Sequence, residues 1–336
     1  MKAVLWNYRF ENMKETWYRQ VLWLVNSLNK QGIDVKKHKG FICRNTDNLK
    51  LYNHNIDNPC DIVIYNHADI SHLTGNIVNS KVNWFLKPTV PEQGYTTLDT
   101  LGYGPYSSIT YHRPPYRQET IFNVDKFYNT KVKKWKEDKS TKWGKYFENK
   151  DTTVDYKDYI LILGQCGGDE VVTRHDFGIY FSKLESIVKE LARVTNELII
   201  VKLHPYTDGT NATDFRFSKE IAKRLIKYGK NIKVYLGKSN VHNFIENAKC
   251  VFLANSGAGF EVMMHDKPII AWGYPEYHWV TYDLRHLCDI KRALSLDWFH
   301  KDNQRKFLYW YLEKYCYYDQ QSCDRRVKEL CSELKH

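Results

Sequence analysis

The sequence predicts an α/β protein built from two parallel-sheet domains. The 336-residue length exceeds that of the usual single domain. Short apolar runs recur at strand length with helical stripes between them, the pattern of crossover-connected parallel strands. Three of those runs lead directly into loops marked by glycine or proline. Hydrophobic residues make up 43% and charged residues 26% of the chain, a globular balance that excludes a disordered polymer.

Taken in order, Ala3 to Trp6 is a short apolar strand, and Trp17, Val21, Leu24, Val25 and Leu28 mark one face of a following helix. Gly32 stops that helix and Ile33-Asp34-Val35 restarts as strand. Asp61 to Tyr65 and Val82 to Leu86 are near-continuous apolar strands, as expected where both sheet faces are covered. Lys87 to Tyr116 is rich in Gly, Pro and Tyr without a helical period, so a long functional loop or lid is expected. Lys131 to Lys150 carries dense positive charge and few aliphatics and reads as an exposed linker. In the second half, Tyr159–Leu163, Leu198–Val201, Ile232–Tyr235, Cys250–Ala254 and Pro268–Trp272 read as strands. The stripe Phe181, Leu184, Ile187, Leu191 and Val194 marks one of the helices between them. Two such halves make a pair of Rossmann-like domains with parallel sheets facing a central cleft, the GT-B arrangement. The expected division is 1–150 and 151–295, with the aromatic tail 296–336 packing back on the first domain. A membrane-surface face is the other reading of that tail.

Net charge is +11 with a pI near 9.0. A lysine-rich solvated surface accounts for this, as does attraction to anionic membrane, an acidic polysaccharide or nucleic acid. No nucleic-acid motif accompanies the charge, so no nucleic-acid partner is expected. The eight cysteines show no CxxC pair and no metal-ligand spacing. No signal-peptide layout or membrane-length apolar run is present. A reduced cytoplasmic protein follows, with a peripheral position at the inner membrane face suited to its charge.

Candidate chemistry lies at three strand ends, where open α/β sheets bind ligands. The first loop, Gly164-Gln165-Cys166-Gly167-Gly168-Asp169, presents a carboxylate able to act as nucleophile or base, and equally suited to cap a turn. The second, Lys202-Leu203-His204-Pro205, ends its strand at a proline and leaves an imidazole at the sheet edge. The third, Asn255-Ser256-Gly257-Ala258-Gly259-Phe260-Glu261, opens a helix whose free N–H groups and positive dipole end suit an anion. Ser256 adds a hydroxyl, and Glu261 is placed for ribose hydroxyls or for the helix dipole. In the first half, Lys87, Asp99, His112 and Arg113 are the acceptor-side candidates, Asp99 foremost.

The ordered set Gly164-Gln165-x-x-x-Asp169, Lys202-x-His204-Pro205, Ser256-x-x-Gly259-Phe260-Glu261, Lys267-Pro268 and Gly273-x-Pro275-x-Tyr277 resembles the bacterial capsular-polysaccharide β-Kdo transferases of the KpsC type. Asp99-x-x-Gly102-Tyr103 resembles a first-domain motif of that group. The resemblance implies a retaining glycosyltransferase with an acceptor-side first domain and a nucleotide-sugar-binding second domain. CMP-Kdo would be the donor, and a glycan or lipid-linked molecule in polysaccharide biosynthesis the acceptor. It implies Asp169 as the nucleophile of a covalent intermediate, oriented by Gln165. His204 and Ser256 would hold the CMP phosphate with backbone donors from Gly257 to Gly259. Glu261 would lie near the ribose or cytosine, and Lys202, Pro205, Asn255 and Tyr277 complete the donor site. No cofactor and no metal are expected. The chain departs from the pattern in Glu170-Val171-Val172 after Asp169, in His278-Trp279-Val280 after Tyr277, and in carrying a single catalytic module. Two alternatives stand beside this reading. One keeps the fold with a UDP-sugar, GDP-sugar or CMP-sialic acid and gives Asp169 a basic or structural role. The other is a non-enzymatic basic binder of glycan or nucleic acid.

Overall fold

The computed structural model describes residues 1–6, 15–38, 60–66, 80–92, 94–142, 152–167, 169, 171–172, 180–204 and 212–333. Cys43, residues 143–150, Gly168, Glu170, Thr173 and Pro205 lie outside these described residues. The chain falls into two compact units, Met1–Pro114 with Tyr309–His336, and Pro115–Leu308. The division differs from the expected boundary near 150: residues 115–150 belong with the second unit, as do 296–308 of the tail.

The first unit carries a six-stranded sheet. Its strands are β1 (Lys2–Trp6), β2 (Asp34–His38), β3 (Cys60–Asn66), β4 (Ser80–Thr89), β5 (Tyr95–Asp99) and, from the far end of the chain, β12 (Cys316–Tyr317). The order is β12-β5-β4-β3-β1-β2. β2, β1, β3 and β4 pair in parallel, whereas β4–β5 and β5–β12 are antiparallel, so the parallel sheet expected here carries an antiparallel edge. The helix Glu15–Lys30 places Trp17, Val21, Leu24 and Leu28 in the core, as its 3.6-residue stripe requires. Gly32 ends it at a φ of 72°, a left-handed conformation that costs glycine little. The helix Gln320–Glu333 adds Cys323, Val327, Leu330 and Cys331 to the same core. Ser27 Oγ donates to Asp324 Oδ1 at 2.6 Å between these two helices.

Two segments differ from their sequence reading. Lys87 to Tyr116 is no lid. It supplies the end of β4, all of the buried strand β5, and the short helices Gly104–Tyr106 and Ser108–Tyr111. Alternation is absent because every residue of β5 is buried on both faces. Lys131 to Glu137 is helical, continuing Ile121–Phe127 through a π-helical turn at Tyr128–Val132. That turn changes the register, so Phe127 and Trp135 meet edge to face at 5.6 Å and Val132 is buried. Of the tail aromatics, Phe307, Tyr311 and Tyr317 are buried with Tyr315 beside them, whereas Tyr309 and Trp310 are half-buried. No helix among the described residues is long and apolar enough to cross a membrane.

Asp99, read as the foremost acceptor contact, is instead fully buried in the first unit. Its carboxylate accepts from the N–H groups of Leu101 (2.7 Å), Gly102 (3.2 Å) and Ser108 (3.0 Å), and from Tyr315 Oη at 2.6 Å. A carboxylate so saturated ties the β5 loop to the returning tail and has no capacity left for a substrate. Lys87 is buried with its Nζ 5.6 Å above the Tyr103 ring, while His112 and Arg113 are exposed. Replacing Asp99 by Asn puts an NH2 group against converging donors. This variant should lose on the order of 3 kcal/mol of stability, read by chemical denaturation.

The second unit holds β6 (Tyr159–Leu163), β7 (Ile199–Lys202), β8 (Ile232–Tyr235), β9 (Ala248–Leu253), β10 (Ile269–Ala271) and β11 (Tyr282–Asp283). All pair in parallel in the order β11-β10-β9-β6-β7-β8. β6, β7 and most of β9 are buried, because the helix Tyr180–Val194 and its neighbours cover the sheet with Leu184, Ile187, Val188 and Leu191.

Candidate active site

Register determines where the three loops emerge. Leu163, the last residue of β6, pairs with Lys202 of β7 on one side and Leu253 of β9 on the other. The loops that follow therefore leave the sheet at one level and at its carboxyl edge, where parallel strands gather ligand-binding loops.

A buried amide pair joins the first loop to the third. Gln165 Nε2 donates to Asn255 Oδ1 at 2.9 Å, and the Asn255 N–H donates to Gln165 Oε1 at 2.9 Å. Asn255 Nδ2 then donates to the carbonyl of Val171 at 3.1 Å, and the Val171 N–H donates to Asp169 Oδ1 at 3.1 Å. Gln165 thus acts on Asp169 through Asn255 and Val171. Asp169 itself is exposed and caps the turn at Val171-Val172. Tyr180 supports the loop from below, accepting the Gln165 N–H at its hydroxyl at 2.7 Å and stacking on Trp272.

The second loop meets the first through sulfur: Cys166 Sγ lies 3.1 Å from His204 Nδ1. Burial, followed by the ammonium groups of Lys202 and Lys142, pushes the imidazole pKa down to about 4, so His204 is neutral near pH 7. Lys202 is buried, with Nζ donating to the carbonyls of Leu203 (2.8 Å) and Gly237 (2.7 Å). Burial lowers its pKa to about 8. It ties β7 to the turn after β8 and lends its charge to the site from beneath.

In the third loop, Ser256 Oγ accepts the Ala258 N–H at 3.2 Å, and Ser256 and Gly257 are partly exposed. Gly259 answers to packing. A Cβ there would stand 2.2 Å from the Tyr277 ring, whose hydroxyl donates to the Ser256 carbonyl. Tyr277 is buried and packs against Phe260. It is a strut under the loop, with its hydroxyl engaged by the Ser256 carbonyl.

Glu261 is buried in the first turn of the helix Gly259–Met264. Its Oε1 accepts the Lys142 N–H at 3.2 Å, whereas Oε2 has no hydrogen-bond partner among the described residues. Burial raises its pKa to about 7. Lys142 was not singled out from the sequence, because it sits in the segment read as linker. It reaches the site because Asn240 Nδ2 donates to the Lys139 carbonyl at 2.8 Å and His242 Nε2 lies 3.0 Å from the Ser140 carbonyl. His242 in turn pairs with His265, Nδ1 to Nε2 at 2.8 Å. Among the described residues no group of three His, Cys, Asp or Glu side chains could hold a metal ion.

These environments predict opposing pH effects. His204 and His242 bind a proton near pH 6.5 when unfolded but only near 4 when folded, so their contribution to stability is present above 6.5 and lost as pH falls to 4. Glu261 keeps its proton up to about pH 7 when folded against 4.5 ordinarily, so its contribution is lost as pH rises from 4.5 through 7. Denaturation of Glu261→Gln should show a gain over wild type at pH 8 that shrinks at pH 5, and His204→Gln should flatten the acid limb. Gly259→Ala should cost about 1–3 kcal/mol through displacement of Tyr277.

Residues 95–309 match the family described as capsule polysaccharide biosynthesis protein. No curated protein matches the chain. Among solved structures, the chain is similar to the beta Kdo 2,7 transferase of Thermosulfurimonas dismutans KpsC at 13% identity, covering 98% of each chain with a TM-score of 0.53. It is also similar to the beta Kdo 2,4 transferase of the same organism's KpsC at 16% identity, covering 94% of this chain and 91% of that one with a TM-score of 0.53. At such identities the likeness bears on the fold, two Rossmann-like domains of GT-B type. The family match spans well over half of the chain and takes in every strand-end residue described above, and the chain belongs to the capsule polysaccharide biosynthesis protein family.

Proposed function

We propose that the protein is a glycosyltransferase of capsule synthesis that moves Kdo, or a related acidic sugar, from a CMP-sugar donor to a glycan or lipid-linked acceptor. The observation that carries this is Glu261: a buried carboxylate with one oxygen unpartnered among the described residues, beside a glycine loop at the carboxyl edge of a parallel sheet. A buried acceptor without a donor is costly, and a ribose hydroxyl supplies the missing one. Ser256, the Gly257 backbone and neutral His204 then meet the single phosphate as hydrogen-bonding groups, with Lys142 and Lys202 contributing positive charge. This arrangement offsets the phosphate charge without a metal.

In the reaction, an Asp169 oxygen attacks the anomeric carbon as the bond to the phosphate oxygen breaks, and CMP departs with the bonding electrons. The acceptor hydroxyl then attacks the same carbon, its proton passing to water at the open edge, and expels the Asp169 carboxylate. Two inversions give net retention. The linkage from Gln165 through Asn255 and Val171 to Asp169 supports this role by fixing the approach of the carboxylate. One observation favours a second reading, in which Asp169 is structural: its carboxylate already caps the Val171 turn.

Three measurements decide among these. CMP should raise the melting temperature more than UDP or GDP, and equal shifts would overturn the donor assignment. CMP should bind about 10-fold or more tightly than 2′-deoxy-CMP, a difference that Glu261→Ala abolishes. Intact mass after incubation with CMP-Kdo should show a sugar-sized adduct on the wild type and none on Asp169→Ala. No adduct under any condition leaves the structural reading of Asp169.

A further inference from the structure

Cys166 and His204 belong to different loops, yet sulfur and ring nitrogen are brought within 3.1 Å by the pairing of β6 with β7. The Gly164 N–H donates to the Lys202 carbonyl at 2.8 Å, and the Cys166 carbonyl accepts the Asp169 N–H at 3.0 Å. The approach is therefore built into both strand ends.

The contact constrains the imidazole proton. A neutral imidazole carries one N–H, and the bond made at one nitrogen decides which nitrogen holds it. With His204 neutral, the thiol S–H donates to Nδ1, and the ring proton resides on Nε2. Were the pair instead a thiolate and an imidazolium, Nδ1–H would donate to sulfur and Nε2 would still carry a proton. The one arrangement that strips Nε2 of hydrogen asks a thiol sulfur to accept from Nδ1–H, and thiol sulfur is a weak acceptor.

We propose that Cys166 is a positioning residue, whose thiol donates to His204 Nδ1 and so holds the ring in the Nε2–H tautomer as a fixed hydrogen-bond donor to the phosphate of the bound nucleotide. The proposal rests on the reading above that His204 meets that phosphate. Its physical content is the avoidance of a lone pair against a phosphate oxygen. An Nδ1–H tautomer would turn a bare Nε2 toward an anion that has only acceptors to offer, whereas the Nε2–H tautomer forms a charge-assisted bond. An Ala at the half-buried position 166 fills the backbone position equally well but removes the thiol that donates to Nδ1.

The test uses the full chain labelled with 15N-histidine, with the His204 ring assigned by its absence from His204→Gln. At pH 7.5 the wild-type spectrum should show protonated Nε2 and a hydrogen-bonded, unprotonated Nδ1. Cys166→Ala should move the Nδ1 resonance to its unbonded position and admit the other tautomer, and Cys166→Ser should restore the wild-type pattern. Calorimetry should show Cys166→Ala weakening CMP on the order of fivefold, with cytidine affinity unchanged and Cys166→Ser close to wild type. A wild-type ring protonated at Nδ1 overturns the proposal without recourse to any variant, which covers the case of an alanine variant that fails to fold. Wild-type tautomer and CMP affinity in a folded Cys166→Ala also overturn it. If His204→Gln binds CMP as well as the wild type does, the phosphate reading itself fails, and the tautomer spectra still report on Cys166 separately.

Discussion

The candidate site depends on the reciprocal amide pair between Gln165 and Asn255. Parallel strands deliver their following loops to one edge, but the sheet ladder reaches only a residue or so past each strand end and does not fix the side chains beyond it. The Gln165–Asn255 pair joins the loops after β6 and β9 at buried positions, where water does not compete. Through Val171 it also holds the turn that carries Asp169. Three further features of the edge build on this frame: Tyr180 beneath Gln165, Tyr277 beneath Ser256, and His204 against Cys166.

Buried charged groups divide into those whose polar atoms are engaged and one with an oxygen unpartnered among the described residues. Asp99 is saturated by backbone and hydroxyl donors and has nothing to offer a ligand, whereas Lys202 spends two of its donors on carbonyls and acts on the edge through its charge; each ties separate segments. Glu261 differs in having one oxygen satisfied by Lys142 and the other unpartnered among the described residues. Counting partners, rather than noting the presence of a carboxylate near a loop, separates an acid whose capacity is spent from one with capacity left.

The basic residues around the edge act as much through their field as through contact. Lys142 and Lys202 lie close enough to His204 to oppose its protonation, and burial does the rest. On the proposed reading, a cationic surrounding that keeps the imidazole neutral suits a donor phosphate held by hydrogen bonds and released with added charge, because the ring does not compete for a proton as it leaves.

Much was legible in the sequence because it is local. β6, β7 and β9 are apolar runs whose period and length identify strands, and the order of loops at Gly164, Lys202 and Asn255 identified the carboxyl edge before any fold was known. The short-range chemistry of glycine and proline marked where those strands stop. What only the tertiary structure decided is which side chains meet. β5 reads as loop because burial on both faces erases alternation, and Lys131–Glu137 reads as linker because its apolar face is supplied by aromatics across a π-helical turn. Asp99 and Tyr277 carry functional side chains but are consumed by long-range hydrogen bonds, to Tyr315 and to the Ser256 carbonyl. Lys142 and Cys166 enter the site through partners far away in sequence, Glu261 and His204. Residue type and spacing set what each loop is able to do, whereas desolvation and partner count, which exist only once the chain is folded, decide which residues keep that ability.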